Sequence, residues 1–375
     1  MKTDSDMSRL IAANNDLGFR LLSQLVEQDS GKNVLLSSFS VAVALAMTYN
    51  GAEGKTKQAM ANALGLTGLS LQEVNEANAT FMSMQDSLDP MVQLSIANSI
   101  WARTGIEPAS DFIQRIRDYY AGEVATVDFS DPGAADIINK WVAGKTHDKI
   151  RKLVTPDIVS SAILILINAI YFRGMWTSQF EEEKTEERAF TLLDGSRKLL
   201  PMMSQSGHYD YYENKSFQAV SLPYGERRIS MYVFLPRPTV SISEFQKTLT
   251  IDNWQQWMSR FHEVEGDVVL PRFKVEYGAD LLPNLVALGG EALAGVDFLG
   301  MGAGPVVISK VIHKTFIEVN EEGTEAAAAT AVVMLLSLAS RFSMIVDRPF
   351  LCAIRDNETG TLLFMGFVLD PIPVL

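Results

Sequence analysis

Cysteine is almost absent from this chain, since Cys352 is the only one among 375 residues. A single thiol cannot form an intramolecular disulfide, and it excludes a metal site built from several cysteines. The neighbours Phe350, Leu351, Ala353 and Ile354 indicate a buried strand, in which a thiol behaves as a small hydrophobic side chain. We therefore interpret Cys352 as a core residue without a reactive role.

Positive charge is also scarce. The chain has 32 Lys and Arg against 45 Asp and Glu, which gives a formal net charge of -13. Because affinity for phosphate groups depends on clustered Lys and Arg, this balance argues against binding to nucleic acids or anionic membranes. We expect neither among the partners.

Long apolar runs are missing as well. The stretch 162–170 is too short for the roughly 18–20 apolar residues of a membrane span. The first eight residues, Met1–Ser8, lack the apolar segment of a signal peptide. The chain is then either cytoplasmic or a secreted protein after processing, and we favour secretion slightly.

Motifs of catalysis are absent too. The sequence contains no G-x-S-x-G elbow, no H-E-x-x-H, no P-loop and no calcium-loop signature. Only four His occur, and their spacing suggests no shared metal. Gly300–Gly304 is rich in glycine but lacks the strand and helix of a dinucleotide site, so we interpret it as a loop. We predict no cofactor, no metal and no enzymatic activity, although a carboxylate pair would leave no signature.

The stretch Glu321–Ser340 is unusual for a connection. It reads EEGTEAAAATAVVMLLSLAS, which is long for a loop and too apolar for a disordered linker. Local propensity alone favours an Ala-rich surface helix, although helices this short have marginal stability. No Pro-, Gly- or Ser-rich bridge and no repeat divides the rest of the chain, so we predict one domain over residues 1–375.

The residues around this stretch resemble the serpin family closely. Upstream lies ISKVIHKTFIEVN (308–320), and downstream lie DRPFL (347–351) and LFMGFV (363–368). These strings match the strand before the serpin reactive-centre loop and the strand pair after it. The resemblance extends from Leu10 to Pro371. It implies an α+β fold with three β-sheets, eight or nine helices and an exposed reactive-centre loop at 321–345.

Other segments fit the same family pattern with small departures. Leu71–Asp86 is expected to be a helix and contains a possible glycosylation sequon at Asn78, which chance explains equally well. Ser38 stands where the family usually has proline. Some serpins bind glycosaminoglycans near this helix, but it carries Glu73 and Glu76 without a run of Lys or Arg. We therefore expect no glycosaminoglycan cofactor.

The resemblance implies that the segment after Asn320 is the hinge of an inhibitory serpin. A protease would cut the loop, and residues 323–336 would then enter the main sheet as a new strand. By period-2 alternation, Thr324 would face the core and Glu325 would face solvent. The alternative is a non-inhibitory serpin, a carrier or chaperone, whose hinge often holds bulky, charged or proline residues. The hinge comprises Glu321, Glu322, Gly323, Thr324, Glu325, Ala326, Ala327, Ala328, Ala329 and Thr330.

The family's usual spacing from Gly323 predicts that the protease cuts between Ser337 and Leu338. Leu336-Ser337 and Leu338-Ala339 are close rivals, because the segment before Pro349 is about one residue longer than in familiar members. These small or apolar side chains suit elastase-, subtilisin- or chymotrypsin-like proteases. The predicted partners are serine proteases, held in a covalent complex by a monomer of this chain.

Two further groups of residues follow from the resemblance. Asn168 interrupts an apolar strand and needs a hydrogen-bond partner, because an unpaired buried amide costs roughly 1–3 kcal/mol. The serpin pattern nominates His313 as that partner, together with Ser37 or Ser40, in a network called the shutter. Trp176 falls in the region called the breach, at the top of the main sheet.

Overall fold

The structure is a computed structural model that describes residues 2–86, 89–289, 297–302, 306–324 and 341–372. Helices and strands alternate irregularly along the chain, as the α+β prediction requires. The α-helices in these ranges are α1 (Lys2–Gln28), α2 (Ser38–Tyr49), α3 (Gly54–Ala63), α4 (Leu71–Asp86), α5 (Ser110–Tyr120), α6 (Ala134–Lys145), α7 (Pro156–Ser160), α8 (Ile242–Gln246), α9 (Ile251–Met258) and α10 (Leu282–Gly289).

The strands form two hydrogen-bonded sheets. They are β1 (Val34–Leu36), β2 (Val92–Arg103), β3 (Glu123–Val127), β4 (Leu164–Met175), β5 (Glu186–Thr191), β6 (Arg197–Glu213), β7 (Phe217–Pro223), β8 (Ile229–Pro236), β9 (His262–Pro271), β10 (Phe273–Asp280), β11 (Ile308–Val319), β12 (Gly323–Thr324), β13 (Phe342–Ile345), β14 (Phe350–Asp356) and β15 (Leu362–Val368).

The larger sheet has nine strands in the order β1-β15-β14-β8-β7-β6-β9-β13, with β5 paired to β6. The strand β6 is 17 residues long and pairs with β7 at one end and with β5 and β9 along the rest. Because β6 runs through without a break, two of the three sheets that the resemblance implied share this strand. The described residues therefore contain two sheets.

The smaller sheet has six strands in the order β10-β11-β4-β2-β3, with β12 paired to β4. Its central strand β4 is apolar along most of its length and buried on both faces, as its sequence predicts. One face packs against α2 and the large core. The other face is covered by α6, whose buried residues Ile138 and Val142 belong to a second cluster with Ile165 and Ile167 of β4.

The helix α4 has the limits predicted from the sequence. The described residues contain ten α-helices, more than the eight or nine expected, because α7 and α8 are short helices of five residues each. Among the described residues, no helix is both long enough and apolar enough to span a membrane.

Candidate functional site

The strands β4 and β11 are direct neighbours. They pair in parallel from Leu164–Ile308 to Tyr171–Phe316, with one irregularity between Ile308 and Lys310. In the part of the chain that the structure describes, no strand lies between them. We call this boundary the seam, because a strand added to the centre of the sheet would have to separate β4 from β11.

A row of polar side chains crosses the seam at its middle. Asn98 of β2, Asn168 of β4 and His313 of β11 lie directly opposite one another in the strand register. All three are buried, with exposed fractions of 4%, 0% and 0%. Three polar residues in one row of an apolar sheet require mutual hydrogen bonds, because each unpaired group is costly.

Asn168 is the centre of this network. Its Nδ2 donates to Asn98 Oδ1 at 2.5 Å and to Ser40 Oγ at 2.5 Å, while its Oδ1 lies 2.5 Å from His313 Nδ1. The backbone N–H of Ser37 donates to His313 Nε2 at 3.3 Å, and Ser37 Oγ caps α2 by accepting from Ser40 N–H. The start of α2 is thus joined to both strands of the seam.

The hydrogen bonds define the tautomer and protonation state of His313. Its Nε2 accepts a bond, so the ring proton lies on Nδ1 and is donated to Asn168 Oδ1. Burial disfavours the charged imidazolium and lowers the pKa of His313 to about 3. His313 is therefore a neutral core histidine.

Asn98 was not predicted from the sequence to belong to this network. Its Nδ2 is buried and makes no hydrogen bond to protein, although its Oδ1 is satisfied by Asn168. The available signal was weaker than for Asn168, because Asn98 lies beside Ser99 in a strand that also contains Gln93 and Ser95. Without the register of β2 against β4, nothing linked the two amides.

The top of the seam, which we call its head, is built around Trp176. The indole stacks on Tyr224, with ring centroids 4.3 Å apart, and its Nε1 donates to the carbonyl of Asn320 at 2.9 Å. The backbone N–H of Trp176 donates to the carbonyl of Glu322 at 3.0 Å. Trp176 therefore fixes the position at which the chain leaves β11.

Glu321 is a buried acid at the same place, with an exposed fraction of 3%. Arg272 Nε donates to its Oε1 at 2.6 Å, and the hydroxyl of Thr185 donates to the same oxygen. Its carbonyl accepts from the N–H of Phe180 at 2.9 Å. Glu321, the first residue of the predicted hinge, is thus held through both its side chain and its backbone.

The chain then turns back toward the seam. Asn320 and Gly323 exchange backbone hydrogen bonds, and Asn320 Oδ1 accepts from the N–H groups of Glu322 and Gly323. The two residues of β12 pair antiparallel with β4, Gly323 with Met175 and Thr324 with Gly174. Only glycine fits at 323: its φ is +144°, and a Cβ there would lie 2.1 Å from the carbonyl oxygen of Gly174.

The outer face of the seam is crossed by the segment after α6. The ammonium of Lys149 lies 6.0 Å from the ring centroids of both Tyr171 and Phe316, which are opposite each other on β4 and β11. Lys314 of β11 donates to the carbonyl of Lys152 at 2.8 Å. This segment would have to move if the seam were to open.

Comparison with known proteins agrees with this architecture. The profile of the Serpin family (serine protease inhibitor) matches residues 12–371. The chain belongs to the serpin family. An uncharacterized serpin-like protein of Methanosarcina mazei is 34% identical over 375 residues, covering 96% of this chain and 87% of that protein. Neuroserpin of Homo sapiens is 34% identical over 370 residues, covering 95% and 90%.

A solved serpin structure has the same fold. Tengpin, a thermophilic serpin in its native state, superposes with a TM-score of 0.86 at 31% identity, covering 96% of this chain and 94% of that one. The predicted family and fold class are therefore confirmed.

The remaining residues singled out in the sequence lie outside the described ranges or are buried. The hinge residues 325–330 and the three candidate cleavage bonds between Leu336 and Ala339 lie outside the described residues. The possible sequon is not accessible, because Asn78 is 1% exposed and its amide donates to Val74 O. Ser38, at the position where the family usually has proline, is buried and donates to the carbonyl of Leu362. Cys352 is buried in β14, which raises the pKa of its thiol to about 12.

Proposed function

We propose that this serpin inhibits serine proteases by a single-use mechanism that couples cleavage of its loop to insertion of the hinge into the seam. One observation supports this most directly. The hinge residues Gly323 and Thr324 already pair with Met175 and Gly174 at the head of the seam, in the antiparallel sense that an inserted strand would need. Insertion would only have to extend a ladder that has begun.

If the antiparallel pairing of β12 with β4 continued along β4, each later hinge residue would face a defined residue of β4. Seven residues beyond the Gly323–Met175 pair, Thr330 would lie opposite Asn168. Since Asn168 faces His313 across the seam, Thr330 would separate the two side chains. A hydroxyl both donates and accepts, so it could take over a bond to each of them. The same register places Met334 opposite Leu164, where β4 begins.

The free energy of insertion favours this direction once the loop is cut. About 12 strand residues at roughly 1 kcal/mol net per hydrogen bond give on the order of 10 kcal/mol, before any burial of side chains. The uncut loop is joined to β11 at one end and to β13 at the other. The intact protein would then be held by a kinetic barrier above its most stable arrangement.

The chemistry of trapping comes from the protease. Its nucleophile attacks the carbonyl carbon of the residue before the cut bond, expels the amine of the next residue and forms an acyl-enzyme. Insertion of residues 323–336 would carry the attached protease along β4 before water completes hydrolysis. Because a misplacement of about 1 Å can reduce catalysis by about 10²-fold, distortion of the protease active site would preserve the ester.

The target class follows from the side chains at the predicted bond. Ser337-Leu338, with the rivals Leu336-Ser337 and Leu338-Ala339, presents small or apolar groups. Elastase-, subtilisin- and chymotrypsin-like proteases are therefore the proposed targets, each captured in a covalent complex by a monomer. Independence of glycosaminoglycans remains a prediction from α4, which carries Glu73 and Glu76 without a run of Lys or Arg.

A protease panel tests this function. Incubation with elastase-, subtilisin- and chymotrypsin-like enzymes should give a complex that survives SDS, and the cleaved chain should melt at a higher temperature than the intact one. Thr324→Arg should convert the inhibitor into a substrate, because an Arg side chain opposite Gly174 obstructs entry to the sheet. Thr80→Arg, on the exposed side of α4, is the matched control and should inhibit normally.

The alternative function is that of a non-inhibitory carrier or chaperone with the same fold. Such a protein would be cleaved by the panel without forming any complex. If the unmodified chain gave only cleaved product with every protease, the inhibitor proposal would be wrong.

A further inference from the structure

One face of the nine-stranded sheet carries a row of acidic side chains. Glu263, Glu265 and Asp267 are alternate residues of β9, so their side chains share one face of the strand. Asp210 of β6 lies directly opposite Glu263 in the strand register and belongs to the same face. Asp210 and Glu263 are both exposed. We call these four residues the acidic row.

One end of the acidic row has a counter-ion. Arg341 Nη2 lies 2.6 Å from Asp267 Oδ1, and Arg341 Nη1 lies 3.8 Å from Glu265 Oε1. The hydroxyl of Ser206 also donates to Asp267. Arg341 directly precedes β13, so this end of the row lies where the predicted loop rejoins the sheet.

The other end of the acidic row has no counter-ion in the part of the chain that the structure describes. There, neither Asp210 nor Glu263 forms an ion pair or a side-chain hydrogen bond. Like charges that lie directly opposite each other on neighbouring strands repel. A cation from outside the chain would relieve this repulsion.

A small polar crevice lies beside the unpaired carboxylates. Its volume is about 60 Å³, and it is lined by Asp210 and Glu263 together with Ser221 of β7, His208 and Arg227. At about 30 Å³ for each water in the liquid, this is the space of two waters, which fits the charged end of one side chain. Among the described residues, Arg227 forms no ion pair with either carboxylate.

Ser221 independently indicates that a ligand belongs in this crevice. It is 3% exposed, and no described residue forms a hydrogen bond with its hydroxyl. Buried hydroxyls are normally hydrogen-bonded, because an unmade bond is costly. A cationic N–H group in the crevice would donate to Ser221 Oγ as well as to the carboxylates of Asp210 and Glu263.

The chemistry of the crevice favours an organic cation. Within the described ranges, no group of three or more His, Cys, Asp or Glu is placed so that it could hold a metal ion. The ammonium of Lys and the guanidinium of Arg each carry several N–H donors, which match two carboxylates and a hydroxyl. The crevice therefore fits a Lys or Arg side chain of a partner protein.

The acidic row lies within reach of a protease bound at the predicted cleavage bond. Residues 338–341 span at most about 14 Å, and the four steps from Asp267 to Glu263 along β9 span about 13 Å. A protease of about 250 residues has a radius of gyration of about 18 Å, and so a diameter above about 40 Å. A protease seated at Ser337-Leu338 would extend over the row.

We propose that the acidic row is a docking surface for a serine protease with a basic surface, and that a Lys or Arg of this protease enters the crevice between Asp210 and Glu263. The proposal deepens the proposed function and rests on it for the identity of the partner. Charge complementarity raises the association rate, so the row selects among proteases that cut the same bond.

Docking is measured on the full uncut chain with a basic elastase-like protease whose nucleophilic serine is replaced by alanine. This blocked protease cannot form an acyl-enzyme, so only docking contributes to the signal. Association and dissociation rates are recorded by surface plasmon resonance at about 0.05 M and about 0.5 M salt. An acidic elastase-like protease, blocked in the same way, is the partner control.

Asp210→Asn combined with Glu263→Gln should slow association with the basic protease about 5- to 10-fold at low salt, and the difference should shrink at high salt. Binding of the acidic protease should not weaken. Glu76→Gln combined with Asp118→Asn removes the same charge at exposed positions of α4 and α5 and should keep the wild-type rates. Equal slowing in both double variants, or in neither, would overturn the proposal.

Ser221→Ala tests the crevice itself. It removes an acceptor without changing the charge, so dissociation of the basic protease should be about 3-fold faster at both salt concentrations. The acidic protease should dissociate at its wild-type rate. An unchanged dissociation rate of the basic protease would overturn the placement of a partner cation in the crevice.

The melting temperature gives a readout that needs no protease. Because Asp210→Asn with Glu263→Gln removes a repulsion, this variant should melt at the wild-type temperature or slightly above it. A lower melting temperature would show that the two carboxylates stabilise the fold, and it would overturn the proposal. If active proteases only cleaved the chain without being trapped, the proposed function would fail, whereas the rates with the blocked protease would still decide the docking surface.

Discussion

Asn168 and His313 face each other across the seam, with Asn168 Oδ1 2.5 Å from the protonated Nδ1 of His313. Neither side chain has any exposed surface, and the bond joins the two strands that insertion would part. The same pair therefore stabilises the uncut protein and, under the proposed mechanism, would have to break during inhibition. Replacement of either residue should change stability in a measurable way.

Asn168→Ala is expected to lower the free energy of unfolding by about 2–4 kcal/mol. It removes the side-chain hydrogen bonds of Asn168 and leaves buried groups of Asn98, Ser40 and His313 without this partner. Denaturant unfolding monitored by circular dichroism measures the loss. Asn62→Ala, at an exposed helical position, should change stability by about 0.5 kcal/mol or less, and an equal loss in both variants would contradict this prediction.

His313 should make stability depend on pH. Burial lowers its pKa in the folded state to about 3, whereas an unfolded His titrates near about 6.5. Between these values the unfolded chain binds the additional proton, so this group's contribution is present above pH 6.5 and is lost as pH falls toward 3. The expected slope from His313 alone is about 1.4 kcal/mol per pH unit.

Comparing wild type with a His313 variant separates the pH slope due to His313 from the pH dependence due to carboxylates. Unfolding free energies of wild type and His313→Gln, measured between pH 6 and pH 4.5, should differ in slope by close to one proton. Thr80→Ala, at an exposed position without a titratable side chain, should keep the wild-type slope. Parallel curves for wild type and His313→Gln would show that His313 does not titrate on unfolding.

The residues of this site that could be predicted from the sequence are those that differ chemically from their neighbours or match a family motif. A lone amide in an apolar strand pointed to Asn168, and the family resemblance supplied His313, Ser40 and Trp176. Asn98 depends instead on the register between β2 and β4, two strands that are distant in sequence. The continuity of β6, which joins two expected sheets, was invisible for the same reason.

Glu321→Lys should destabilise the head of the seam. It removes the carboxylate that Arg272 and Thr185 contact, and it places a second cation beside Arg272 in a buried position. We expect the free energy of unfolding to fall by about 3–5 kcal/mol, as for other broken buried ion pairs. Glu322→Lys is the matched control, because the described contacts of Glu322 involve its backbone.

Exchanging the charges of Glu321 and Arg272 separates the contribution of the ion pair from that of side-chain packing. Arg272→Glu combined with Glu321→Lys should recover part of the stability lost in Glu321→Lys alone, as chemical denaturation can measure. If the double variant were as unstable as the sum of the two single variants, the attraction between Glu321 and Arg272 would be negligible.

Gly323→Ala should impair inhibition more than it impairs folding. A Cβ at this residue would overlap the backbone of Gly174 and Met175, and φ of +144° is strained for any residue except glycine. The pairing between β12 and β4 would then be displaced at its first residue pair. Insertion would be slower, and the protease would more often complete hydrolysis of the acyl-enzyme before it is trapped. We expect a several-fold rise in the number of inhibitor molecules consumed per protease molecule trapped. Gly144→Ala, where a Cβ has no atom within 4 Å, should leave that ratio unchanged. An unchanged ratio for Gly323→Ala would mean that the inserted strand does not begin from the β12 register.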